Sequence, residues 1–234
     1  MRLDKMLSEC GLLSRKETAV FAKKGLITVN GEPEKRPDRH VDPLRDAVTL
    51  NGEPVIYMPF QYVMLNKPAG YISATEDGNY PVVTELLPEK LRRMNLFPCG
   101  RLDRDTVGLM LLMNDGPLAH RLLSPRHHVE KTYFFRCLTP LSDEAEKRMT
   151  EGMTLGDEML KPAALVLSED RLSGHITLTE GKYHQIKRMF GACDNRITYL
   201  RRESFGGIPL DPALPEGTWR YLTENELVIL KNQK

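Results

Sequence analysis

Five apolar residues in a row, Leu109-Met110-Leu111-Leu112-Met113, follow closely on the densest charge cluster of the chain, Arg101-Leu102-Asp103-Arg104-Asp105. A short apolar run bounded by turn signals reads as a buried strand, and the rest of the fold must cover it. Gly100 to Gly108 is then a loop feeding that strand, set off behind by the turn-prone Pro98-Cys99-Gly100. Loops anchored on a rigid strand often carry catalytic side chains, because the strand fixes where they point. A solvated loop whose charges pair with one another accounts for the same pattern. The remainder of the chain has to decide between the two.

With 234 residues there is room for one large or two smaller domains. An apolar fraction of 41% and a charged fraction of 28% describe an ordinary globular protein. The net charge is only +1, so attraction to nucleic acid has to come from local patches. Cys10, Cys99, Cys137 and Cys193 form no CxxC pair, which argues against a zinc site and fits reduced thiols in the cytoplasm. No apolar run approaches about 18 residues and no signal-like segment follows Met1, so neither membrane spanning nor secretion is expected.

The first 58 residues read as one unit. Leu3, Met6, Leu7 and Cys10 share a helical face; Ser14 and Glu17 form a capping box for a second helix that Gly25 ends. Two similar phrases follow, Val29-Asn30-Gly31-Glu32-Pro33 and Leu50-Asn51-Gly52-Glu53-Pro54, and Asn-Gly after a β-branched or apolar run predicts a hairpin. Residues 59–234 mix helices and strands without steady βαβ alternation. Strands are expected at Tyr62–Asn66, after Gly108, at Lys131–Leu138, Ala163–Leu167, His175–Thr179 and Arg196–Leu200, and helices at Leu118–Leu123 (ending before Pro125), after Ser142, at His184–Cys193 and after Thr223. The chain is therefore read as α+β: a small N-terminal αβ unit, then a mixed, largely antiparallel sheet flanked by helices.

Up to Lys24 the first unit holds six basic residues against three acidic ones. Its motifs, Arg2-Leu3-Asp4-Lys5, Gly11-Leu12-Leu13-Ser14-Arg15-Lys16 and Val29-Asn30-Gly31, resemble an S4 domain, the small RNA-binding module of ribosomal protein S4 and several RNA-modifying enzymes. The resemblance implies that Arg2, Lys5, Arg15, Lys16 and Lys24 face structured RNA.

No metal-ligand spacing, GxGxxG, GxxxxGK[ST] or GxSxG is present, so no metal or nucleotide cofactor is expected and carboxylates and basic residues remain as the chemical actors. A second basic patch runs from Lys182 to Arg202, six cations to one acid, with Tyr183 inside it as a possible stacking surface. At helical spacing Ile186, Met189 and Phe190 face a core, and Lys187 and Arg188 splay to either side. An amphipathic helix with a solvated basic face explains the apolar stripe fully and the basic excess less well.

Gly100-Arg101-Leu102-Asp103 with Thr106 behind it, Lys131-Thr132-Tyr133, and Gly181-Lys182-Tyr183-His184-Gln185-Ile186-Lys187-Arg188-Met189 resemble, in that order, the motifs of pseudouridine synthases. Met64 to Tyr71 (MLNKPAGY) and Ser124 to Tyr133 (SPRHHVEKTY) resemble the RsuA-type branch, which modifies small-subunit ribosomal RNA. The resemblance implies Asp103 as catalytic carboxylate, Tyr133 as the tyrosine that packs on the target base, and Lys187 as the cation paired with the aspartate. It matches Ile186 to the apolar lining of the pocket. Arg101 and Thr106 are expected to shape the loop or hold phosphate, Lys182 and Arg188 to meet RNA, and Asp105 to be a solvent-facing or structural acid. Lys at position 187, where other branches carry Arg, makes the pair a point contact rather than a fork.

The chemistry fits independently. Turning uridine into pseudouridine breaks an N-glycosidic bond and makes a carbon–carbon bond to the same ribose, without redox agent or metal. It calls for an ionised carboxylate in a semi-buried pocket, as nucleophile or as base, which a neighbouring cation favours. It also requires the uridine to leave its stack. The expectation is a monomeric cytoplasmic enzyme acting on a uridine of 16S ribosomal RNA. The alternatives are a large-subunit target or a non-catalytic RNA-binding protein of the S4 class.

Overall fold

A computed structural model describes residues 1–124 and 126–233. Pro125, expected to close the helix before it, lies outside the described residues. The chain divides into two compact units, residues 1–61 with 87–96 and residues 62–86 with 97–234. Packing therefore departs from chain order: 59–61 and 87–96 group with the first unit, although the sequence reading placed them with the second.

In the first unit, helices α1 (Leu3–Glu9) and α2 (Arg15–Lys23) pack on a four-stranded antiparallel sheet. Its strands β1 (Ile27–Val29), β2 (Glu32–Pro33), β3 (Val48–Leu50) and β4 (Glu53–Pro54) lie in the order β2-β1-β3-β4, and α3 (Glu89–Arg93) joins the same unit. Both Asn-Gly pairs have positive φ at both residues, 56° and 86° at Asn30-Gly31 and 54° and 84° at Asn51-Gly52. That is the hairpin turn whose twist matches its strands, and only Asn-Gly-like pairs adopt it cheaply. The Ser14–Glu17 capping box forms as the sequence predicts, and Leu3, Leu7, Ala22 and Ile27 close the core without solvent exposure.

The second unit is built on β5 (Tyr62–Lys67), β6 (Phe97–Pro98), β7 (Val107–Met113), β8 (Lys131–Cys137), β9 (Thr154–Leu155), β10 (Glu158–Met159), β11 (Ala164–Leu167), β12 (Ser173–Leu178), β13 (Ile197–Phe205), β14 (Ile208–Pro209) and β15 (Trp219–Tyr221). Nine of these form one sheet along the order β11-β12-β8-β13-β7-β5-β15, with β14 on β13 and β6 on β7; β9 and β10 make a separate hairpin. Every pairing is antiparallel except β13 with β7. Helices α4 (Gly116–Leu123), α5 (Asp143–Glu151), α6 (Gln185–Gly191) and α7 (Glu224–Lys231) flank it. All seven residues of β7 are buried, as its uninterrupted apolar run requires. The short pairings at β6, β9–β10 and β14 were not visible in the sequence. Among the described residues no helix is long and apolar enough to cross a membrane.

Candidate active site

The loop from Gly100 to Thr106 is held from beneath by the stretch 67–73. The Lys67 ammonium, fully buried, donates to the carbonyl oxygens of Pro68, Asp103, Arg104 and Thr106 at 2.8 to 3.2 Å. The Gly70 amide donates to the Arg104 carbonyl at 2.8 Å. Ser73 Oγ donates to the Leu102 carbonyl and accepts from the Leu102 amide, at 2.8 and 2.9 Å. Gly108 closes the turn into β7 with φ 99°, where a Cβ would collide with the backbone of Arg202. That close approach lets β13 pair parallel to β7 at the end of the loop.

So anchored, the loop presents Asp103 to the start of α6. Lys187 Nζ lies 2.9 Å from Asp103 Oδ2, and His184 Nε2 lies 3.3 Å from Oδ1. Each carboxylate oxygen thus has its own nitrogen partner. Lys187 also reaches Asp105 Oδ1 at 2.6 Å. Burial alone would lower the Lys187 ammonium, but its bonds to Asp105 and Asp103 outweigh that and raise it. Burial likewise pushes the Asp105 carboxyl up, and Lys187 brings it below the usual carboxylate range. Asp105 is 74% exposed at its side chain, solvent-facing as expected, yet its contact to Lys187 is the shorter of the two.

The apolar stripe of α6 orients this cation. Ile186, Met189 and Phe190 are buried, with the Phe190 ring edge-on to Phe135 of β8 at 4.8 Å. Lys187 is turned one way toward Asp103, and Arg188 the other way to Glu158 at 2.9 Å. His184, just ahead of the helix, takes the left-handed conformation with φ 46° and stacks on Tyr183 at 3.9 Å. Buried Gln185 fixes that approach, accepting from the Lys182 amide at 3.0 Å and donating to Glu180 at 2.7 Å.

Asp103, His184 and Lys187 line a cleft of about 670 Å³ in the second unit, a volume suited to a small organic group. Asp103, Lys187, Tyr133, Arg101, Thr106 and Ile186, the residues singled out by the sequence, all line it. Tyr133 and Ile186 are buried in its wall, while Arg101 is exposed. Lys182 lines it too, but Lys182 and Arg188 share Glu158 as ion-pair partner at 3.3 and 2.9 Å. In the first unit Arg15, Lys16 and Lys24 are exposed, Lys5 lies 3.7 Å from Glu9, and Arg2 forks onto Asp4 at 2.7 and 3.0 Å. Among the described residues no cluster of His, Cys, Asp or Glu could hold a metal, and all four cysteines are free.

Sequence reasoning missed Lys67, His184, Glu158 and Arg202. One signal was available: His184 and Lys187 are three apart, the spacing that sets two side chains on one side of a helical turn.

A carboxylate flanked by a lysine ammonium and an imidazole nitrogen, in a cleft it shares with a tyrosine, defines a polar enzyme site of the acid–base or nucleophilic kind. The sequence profile described as RNA pseudouridylate synthase matches residues 61–192, and that of the S4 domain matches residues 1–43. The chain is 46% identical to the RNA pseudouridine synthase YtzG of Bacillus subtilis, over 98% of both chains. It is 40% identical to ribosomal small subunit pseudouridine synthase A of Pasteurella multocida and 39% to that of Escherichia coli, over 97% of this chain and 98% of each relative. A crystal structure of a pseudouridylate synthase superposes with TM-score 0.69 at 36% identity, covering 98% of this chain and 99% of that one. The chain belongs to the RNA pseudouridylate synthase family, as an isomerase of the RsuA type with an S4 domain.

Proposed function

We propose that the protein converts one uridine of small-subunit (16S) ribosomal RNA to pseudouridine, with Asp103 as the catalytic carboxylate. The observation that carries the reading is the double engagement of Asp103, Oδ1 by His184 and Oδ2 by Lys187, inside a cleft walled by Tyr133. These two contacts fix where the carboxylate points, as the reaction requires of a group that acts as nucleophile or as base. The buried Tyr133 offers its ring to an unstacked uracil, and Ile186 completes an apolar wall. The reaction balances without any external reagent: C1′–N1 breaks, C5 bonds to C1′, the C5 proton leaves and N1 gains one. Residues 1–58, with Arg15, Lys16 and Lys24 exposed, would dock the RNA, and residues 59–234 would carry the chemistry. The names of the relatives from Pasteurella and Escherichia support the small-subunit target.

Tritium release from 5-tritiated uridine in ribosomal RNA tests the chemistry. Asp103→Asn is expected to abolish release while RNA affinity stays within about threefold, because the amide keeps the shape and loses the charge. Turnover retained in that variant overturns the assignment of Asp103. Mapping pseudouridines in a deletion strain tests the target: a missing modification in large-subunit rather than small-subunit RNA would replace that part of the reading.

A further inference from the structure

Three cations of the second unit, Lys67, Lys131 and Arg202, are held by neutral groups rather than by carboxylates. Lys67 is occupied by the loop carbonyls. The other two are less fully used. Arg202 is 1% exposed, donates through Nε to the Leu109 carbonyl at 2.7 Å, and lies 5.3 Å from the centre of the Phe205 ring. Its Nη2 is buried and has no partner among the described residues. Lys131 makes one bond, to the Val129 carbonyl at 2.9 Å, and sits 5.5 Å from the same ring. Both line the Asp103 cleft, and so does Thr106, whose buried Oγ1 is also without a partner. Burial and the charge of Arg202 together push the Lys131 ammonium down to about 8. A buried guanidinium with an unused donor, beside a half-buried ammonium in the same cleft, calls for a polar partner.

A structural duty accounts for part of this. The Nε bond ties β13 to β7 where they run parallel. It uses one of the five donors of the guanidinium and leaves the Nη2 side of the fork unexplained. Arg202 and Tyr133 are register partners on β13 and β8, so both side chains stand on the same face, and both line the cleft. A flat ring packed on Tyr133 would present its edge to Arg202. A phosphate suits the rim better, where Arg101 and Arg104 are exposed.

Resting on the proposed uridine isomerisation, we propose that Arg202, backed by Lys131, hydrogen-bonds a uracil carbonyl oxygen and takes up the charge released when the base leaves the ribose. When C1′–N1 breaks, the electron pair goes to uracil and spreads over N1, O2 and O4. Attack of C5 on C1′ then forms the new bond, after which the C5 proton is lost and N1 is protonated. Donors held beside O2 or O4 lower the barrier to the first step, which is the action of an oxyanion hole.

The test is a double-mutant cycle between protein and RNA. Wild type, Arg202→Met, Arg202→Lys and Lys131→Gln are assayed in single turnover on RNA bearing uridine, 2-thiouridine or 4-thiouridine at the target, with nucleoside analysis as readout. Sulfur accepts hydrogen bonds poorly, so one thio position should slow the wild type about tenfold. Arg202→Met should lose about 100-fold on unmodified RNA with RNA affinity within about threefold, and that thio penalty should vanish in it. Arg202→Lys should recover part of the rate, and Lys131→Gln, which leaves the Leu109 tether intact, should show a reduced thio penalty. A purely structural Arg202 gives penalties that simply multiply at both thio positions, in every variant, and that result overturns the inference alone. A wild type inert on unmodified ribosomal RNA overturns the proposed function and this inference with it.

Discussion

At Lys67 an ammonium group sits out of reach of solvent among the carbonyl oxygens of Pro68, Asp103, Arg104 and Thr106. Three N–H groups shared among four acceptors, three of them between Asp103 and Thr106, hold the backbone at and after the carboxylate more tightly than the turn bond from the Thr106 amide to the Asp103 carbonyl can. Lys67→Met should cost about 2–4 kcal/mol, since buried carbonyls lose their donor, and should lower kcat more than RNA affinity. Burial holds the Lys67 ammonium down to about 8. Between pH about 8 and its ordinary value of about 10.4 the unfolded chain binds the proton and the folded chain does not, so folding stability rises with pH there. Chemical denaturation across that window should show the wild type gaining on Lys67→Met as pH rises; a gap that narrows would contradict the assignment. From the sequence, Lys67 read only as one residue of the Met64 to Tyr71 stretch that resembles the RsuA-type branch. The identity of a motif residue was legible, but its partners 36 to 39 positions away were not, because they depend on which strands become neighbours.

Among the elements, those with local causes were the ones the sequence disclosed. The capping boxes at Ser14–Glu17 and Thr223–Glu226 form, the two Asn-Gly hairpins form, and the apolar run becomes a strand buried along its whole length. The two-residue strands β6, β9, β10 and β14 escaped because two residues carry no periodicity, and α3 gave no sign that it belongs with the first unit. Nor did the capping box disclose the second task of Glu226. Besides closing α7 with Thr223, it forks onto Arg220 of β15 at 2.7 and 2.8 Å, while Arg220 Nε holds Asp211 at 2.7 Å. The Arg220 bond carries Glu226 below its usual range, and the Ala213 amide together with Arg220 does the same for Asp211. Carboxyls depressed in the folded state contribute stability that is fully present above about pH 4.3 and is lost as pH falls. Arg220→Gln should therefore lower stability by about 1–3 kcal/mol at pH 7 and by much less near pH 3. Thermal melts at the two pH values check this; an equal loss at both would mean that the side chain matters for packing rather than charge.

For the whole molecule, a net charge of +1 means that RNA has to be gathered by local patches, and the chain carries two. In the patch that includes the cleft, Glu158 pairs with both Lys182 and Arg188 and offsets one of their two charges, a restraint invisible in a sequence that shows six cations against one acid over those residues. In the first unit Arg15 and Lys16 open α2 directly after its Ser14 cap and stay exposed. Cations in the first turn oppose the helix dipole, and apart from the attraction of Arg15 for Asp4 they have little folding role, so a ligand explains them better than folding does. Replacing both by Gln should reduce the slope of log Kd against log salt for ribosomal RNA by about 1.5, at about 0.7–0.9 for each phosphate no longer neutralised. The melting temperature should stay level or rise as the unfavourable dipole interaction is removed, and turnover at saturating RNA should be unchanged because Asp103 and its partners lie in the other unit. Fluorescence titration over a range of salt concentrations distinguishes the outcomes: weaker binding with an unchanged slope would mean that the two residues support the fold of the first unit rather than touch phosphate, and the docking face would have to be sought on another side of it.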